Sequence, residues 1–187
     1  MKVLAICGSL RQNSWNRKLL TLAGEVLKKQ GAEVEEFDLA PPPMYNGDVE
    51  AKGLPDSAIA LRDAIKKADA VVITSPEYNG SMSSAIKNAM EWASRLPENV
   101  LRDEVFFVMG TGPGRSGATG MFAHLSWAIQ TLGGWVVPSP RVLLPGVAEI
   151  ISPEGRLLDN SVGELLDQAM SKLLETARRF PGGEKSV

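Results

Sequence analysis

Two patterns of apolar residues alternate along the chain. Short, nearly unbroken runs stand at Val3 to Ile6, Ala70 to Ile73, Val105 to Met109 and Trp135 to Val137, and between them apolar positions return every three or four residues. Unbroken runs fit strands covered on both faces, as in a parallel sheet, and the wider spacing fits amphipathic helices. Leu19, Leu20, Ala23, Val26 and Leu27 mark the first helix, and Leu165, Leu166, Ala169, Leu173 and Ala177 the last. Three more stripes lie between, through Leu61 and Ile65, through Ile86, Met90 and Trp92, and through Met121, Leu125 and Leu132. Val34 and Phe37 alternate with acidic residues, which predicts a shorter strand nearer the sheet edge.

Local signals set the boundaries. Gly31 ends the first helix, Asp56 and Ser57 can cap the second, Ser81 or Ser83 the third, and Gly133 with Gly134 ends the fourth. Three prolines at 41–43 and the Asn46-Gly47 turn signal predict a loop running to about Pro55. Pro138 and Pro140 interrupt a fifth strand that resumes at Val142 to Leu144. Five strands alternating with five helices predict a three-layer α/β sandwich in one domain over residues 1–180, with 181–187 as a flexible tail. A five-stranded parallel sheet of order 2-1-3-4-5 puts a switch point between the first and third strands, beside the loops that follow them. The apolar arc of the fourth long helix, with Phe122, Trp127 and Ile129 off the main stripe, is wider than one sheet contact needs. Either a second subunit or the chain's own tail would cover it.

Composition narrows the partners. A formal charge of −2 gives no field that would recruit nucleic acid or an anionic membrane surface. The chain begins on a strand and has no apolar run of membrane-spanning length, so a cytoplasmic location is expected. Cys7 is the only cysteine and His124 the only histidine, which argues against an internal disulfide and a Cys- or His-rich metal site. Cys7, inside the first strand, reads as packing.

Candidate chemistry gathers in the loops at the carboxyl ends of the strands. Residues 8–16, GSLRQNSWN, bring Ser9, Arg11, Ser14 and Asn16 to a helix start, where orphan amides and the helix dipole favour an anion. The same residues also describe an ordinary helix cap with one solvated Arg. Residues 75–81, SPEYNGS, form a turn that can present Pro76, Glu77, Tyr78, Asn79, Gly80 and Ser81 to a planar ligand, or simply enter the next helix with a surface Tyr. Thr111 and Gly112 open a glycine-rich third loop, 110–117. Neither G-x-x-x-x-G-K-[ST] nor G-x-G-x-x-G is present, which disfavours a nucleoside triphosphate or a Rossmann-type dinucleotide.

Residues 8–16, 76–81 and 87–92 (KNAMEW) together, with Pro43 to Asn46 and Asp48, resemble the NADPH-dependent FMN reductase family, which includes bacterial quinone and chromate reductases. The resemblance spans about residues 2–145 and implies a flavodoxin-like fold with tightly bound FMN. It further implies dimers or tetramers with the flavin at the subunit contact, and ping-pong transfer of hydride from NADPH or NADH to a small-molecule acceptor. By position, Ser9, Arg11, Ser14 and Asn16 would hold the FMN phosphate. Pro76, Glu77, Tyr78 and Asn79 would line the ribityl chain and ring edge, and Gly80 and Ser81 would complete the turn, with Thr111 and Gly112 alongside. Pro113 and Arg115 depart from a third loop richer in Ser and Gly in many relatives. No side chain is expected to act as nucleophile or base, because the flavin carries the chemistry. A flavodoxin-type electron carrier is the alternative, and the near-neutral charge and Arg11 weigh against it.

Overall fold

The computed structural model describes residues 1–95 and 97–180. The expected tail, 181–187, lies outside the described residues. The chain runs β1 (Lys2–Cys7), α1 (Trp15–Lys29), β2 (Glu33–Phe37), α2 (Gly47–Glu50), α3 (Asp56–Lys67), β3 (Ala70–Thr74), α4 (Ser84–Ala93), β4 (Val105–Thr111), α5 (Thr119–Thr131), β5 (Trp135–Val136), β6 (Leu143–Leu144) and α6 (Asn160–Arg179).

The sheet is parallel, in the order β2-β1-β3-β4-β5, with Val3 level with Val34 on one side and Ala70 on the other. Every residue of β3 and β4 is buried, as is every residue of β1 after Lys2, because helices cover both faces. Val3, Ala5, Val72 and Phe107 face Leu19, Leu27, Met170 and Leu173 of α1 and α6. Leu4, Ile6, Val71, Ile73 and Phe106 face Leu61, Ile86, Met121 and Leu125 of α3, α4 and α5. On the β2 edge, Glu33, Glu35 and Glu36 are exposed, and carboxylates on an open edge discourage pairing with another chain.

Three local expectations change. The interrupted fifth strand is two short strands, β5 on Val105 and Phe106 and β6 on Gly110 and Thr111, because prolines at 138 and 140 cannot donate to the ladder between them. The 40–55 loop holds the short helix α2, where the Asn46 side chain accepts the Asp48 amide at 2.8 Å. At α3 the cap position is Pro55, with no side-chain cap bond, so Asp56 serves as a first-turn acid instead. Trp127 on α5 is 70% exposed in the single chain, with α6 packed on the opposite face of the sheet.

Two buried polar side chains fix what surrounds α4. Asn88 accepts the Tyr45 amide at 2.8 Å and donates to Pro43 O at 2.8 Å, and the Trp92 indole donates to the same carbonyl at 2.8 Å. The proline loop, which cannot supply ladder donors of its own, is thereby held by α4. Arg62 of α3 donates to the carbonyls of Trp92, Ala93, Arg95 and Glu98, and so ties α3 to the end of α4 and the segment after it. No helix among the described residues is long and apolar enough to cross a membrane.

Candidate functional site

The carboxyl ends of β1, β3 and β4 meet at one rim. Gly8 donates to Thr74 O at 2.6 Å and accepts from the Ser83 hydroxyl at 2.6 Å. A Cβ there would stand 2.5 Å from Ile86 Cγ1, so the position requires Gly for lack of space. With the rim drawn this tightly, the loops after β1, β3 and β4 border a single cavity of about 250 Å³. Ser9, Arg11, Ser14 and Asn16 line it from the first loop, Pro76, Glu77 and Tyr78 from the second, and Thr111 and Gly112 from the third. Arg11 and Tyr78, 67 positions apart in the chain, are therefore walls of the same cavity.

The individual roles diverge once the bonds are traced. Ser14 is the N-cap of α1 and accepts from the Arg17 amide, a long bond of 3.4 Å that leaves its hydroxyl proton free for a ligand. Ser9 is buried beside it at the cavity wall. Arg11 is exposed and makes no hydrogen bond or ion pair among the described residues, so its charge and planar fork remain available to an anion.

Asn16 is already engaged. Its Nδ2 donates to Thr111 O at 2.9 Å and its Oδ1 accepts the Thr111 amide at 3.1 Å, with both residues buried. Asn16 therefore ties the first loop to the third. Glu77 is likewise committed: Oε2 accepts the Gly120 and Met121 amides at 2.7 and 3.1 Å. It caps α5, whose own cap residue Ala118 has a left-handed φ of 67° and no side-chain cap bond.

Tyr78 and Ser81 exchange both backbone bonds at 3.0 Å, and Asn79 and Gly80 between them have φ of 52° and 74°. Positive φ at both central residues makes this a type I′ hairpin turn, which explains Asn-Gly there. The Ser81 amide is spent inside the turn, whereas the Asn79 and Gly80 amides have no acceptor among the described residues.

Beyond Tyr78 an open groove of about 790 Å³ continues along Asn79, Ser81, Met82, Lys87, His124 and Trp127. Tyr78 borders both spaces. One end thus offers a cation and hydroxyls, and the other offers aromatic faces and free amides. His124, not among the predicted site residues, lines this groove with its Nδ1 3.0 Å from Ser81 Oγ. Being the chain's only histidine was its one visible signal. A separate surface hollow between α1 and α6, about 690 Å³, lies away from these loops and borders none of the predicted residues.

Comparison with known proteins identifies the family. Residues 1–149 match the family model for NADPH-dependent FMN reductase. An NAD(P)H-dependent FMN reductase of Pseudomonas aeruginosa is 35% identical over 182 residues, which covers 97% of this chain and 98% of that one. A quinone reductase of Escherichia coli K12 is 30% identical over 165 residues, 85% of this chain and 86% of that one. Among solved structures, the flavoenzyme NAD(P)H:acceptor oxidoreductase FerB of Paracoccus denitrificans superposes with a TM-score of 0.88 at 29% identity, over 96% of this chain and 98% of that one. The chain belongs to the NADPH-dependent FMN reductase family.

Proposed function

We propose that this chain is an FMN-dependent NAD(P)H oxidoreductase, with the phosphate of FMN at Ser9, Arg11 and Ser14 and its ring against Tyr78, Asn79 and Gly80. The observation that carries the reading is the shared cavity, which has an unpaired guanidinium at one end and an exposed aromatic ring at the other. An anionic mononucleotide with a planar head needs that donor set, so the residues present fit the group. When bound, FMN supplies two-electron chemistry, taking hydride from NAD(P)H and giving it to a quinone, azo compound, chromate-like anion or free flavin in turn.

The chain's own residues bind and orient. Ser9, Arg11 and Ser14 neutralise the charged tail, Asn16 keeps the first and third loops together, and Glu77 seats the ring-edge turn on α5. The free Asn79 and Gly80 amides supply fixed donors where negative charge grows on reduction. The groove from Tyr78 to Trp127 has room for the hydride donor and then the acceptor at one place, in keeping with ping-pong exchange. A second copy is proposed as the cover of the exposed Trp127, giving a dimer or tetramer.

Anaerobic mixing of the FMN-loaded chain with NADPH tests the reading. The yellow absorbance is expected to bleach and to return on adding a quinone. A chain acting only as an electron carrier would stay oxidised without a separate reductase, which would refute the proposal.

A further inference from the structure

We infer that α5 sets the position of the Asn79–Gly80 turn and that Gly120 and His124 are positioning residues for the ring end of the site. This inference rests on the reading that the turn borders bound FMN. Taken alone, the hairpin is closed only on itself: Tyr78 and Ser81 bond to each other, while Asn79 and Gly80 are exposed. Its place relative to the sheet must come from outside the turn, and α5 meets it at three points.

Glu77, just before the turn, has its carboxylate on the Gly120 and Met121 amides. At the tip, the Gly80 carbonyl lies directly over Gly120, where an added Cβ would come within 2.6 Å of Gly80 O and 3.1 Å of Gly80 C. At the far side, Ser81 Oγ and His124 Nδ1 are 3.0 Å apart. Glu77 with Gly120 and Ser81 with His124 are each separated by 43 positions, so one helical turn of α5 is matched against the hairpin in register.

Gly120 has no left-handed φ and stands in the first turn of α5, so conformational freedom does not account for it. Only the approach of Gly80 does. The blocking atoms belong to backbone, and no rotamer change can make room. A methyl group at 120 therefore moves the turn, and with it the two free amides.

Two variants test this. In Gly120→Ala the dissociation constant for FMN is expected to rise roughly tenfold or more, with an altered visible circular dichroism spectrum of the bound flavin. The clash also strains the apo chain, so its melting temperature is expected to fall modestly; the changed flavin spectrum is what a general loss of stability would not produce. His124→Phe keeps bulk and loses the Ser81 bond, and is expected to weaken FMN roughly threefold to tenfold. In the apo chain both variants shift the amide resonances of Asn79 and Gly80.

Wild-type FMN affinity and flavin spectrum in both variants, with unmoved resonances at 79 and 80, would overturn the inference while leaving the functional reading intact. A wild-type chain that takes up no FMN would instead sink the functional reading, and the apo resonances would still decide whether α5 positions the turn. If Gly120→Ala does not fold, His124→Phe decides by the same measurements.

Discussion

Replacing Asn16 with Ala separates two roles for one residue of the first loop. As a phosphate donor, Asn16 would matter only when ligand is present. In the structure its amide is taken up by Thr111, at 2.9 Å to the carbonyl and 3.1 Å from the N–H, where Asn16 is 3% and Thr111 1% exposed. Asn16→Ala leaves one buried donor and one buried acceptor without partners, at about 1–3 kcal/mol each. The total expected is about 2–6 kcal/mol of apo-protein stability. For a chain of this length that lowers the melting temperature by about 4–24 °C.

Asn16→Asp still accepts from the Thr111 amide but places a carboxylate against the Thr111 carbonyl, so it is expected to lose at least as much at neutral pH. Urea unfolding of the apo chain, followed by far-UV circular dichroism, gives both numbers. The reasoning is refuted if Asn16→Ala loses less than about 0.5 kcal/mol without ligand while FMN affinity falls sharply. That result would make Asn16 a ligand donor after all.

Arg62→Met removes a buried guanidinium that serves four carbonyls. Trp92 O and Ala93 O keep backbone donors, and losing the donor to Arg95 O and Glu98 O is expected to cost about 2–6 kcal/mol in chemical denaturation. Asn88→Leu leaves only the Trp92 indole holding Pro43 O, at a cost of about 1–3 kcal/mol, and hydrogen exchange at the Tyr45 amide should accelerate. The Ser161 hydroxyl and then its backbone N–H, both donating to Asp159, hold that carboxyl below the ordinary aspartate range. Folding thus favours the ionised form: its contribution is complete above the ordinary aspartate pKa and is lost as pH falls through the lowered folded value. Asp159→Asn should flatten the acid limb of the melting temperature against pH.

The sheet was legible because its central strands are unbroken apolar runs, and runs such as Val71 to Ile73 can be buried on both faces only between layers of helices. Order and switch point followed, and so did the two loops that share a cavity. The partners of single polar residues were not legible. Asn16 reaches across 95 positions to Thr111 and Glu77 across 43 to Gly120, and an amide or carboxylate in a loop looks the same whether it faces a ligand or the backbone. Local pattern likewise marked 87–92 as helix without revealing that Asn88 and Trp92 both hold Pro43 O. His124 lay one helical turn beyond Gly120, in a stretch whose apolar spacing drew attention to the opposite face. Position alone was enough to put Arg11 at the cavity, because it follows a central strand at a helix start.

If two distant loops grip one mononucleotide, the first must hold its phosphate. Titrating the apo chain with FMN and with riboflavin, in the wild type and in Arg11→Ala, tests it most directly. A charge-assisted bond contributes about 1.5–3 kcal/mol, or roughly 10–100-fold in affinity. FMN is therefore expected to bind the wild type at least roughly tenfold tighter than riboflavin. Most of that difference should vanish in Arg11→Ala with apo stability unchanged, because Arg11 makes no bond to the rest of the described chain. Equal affinity of the wild-type chain for FMN and riboflavin would contradict the account.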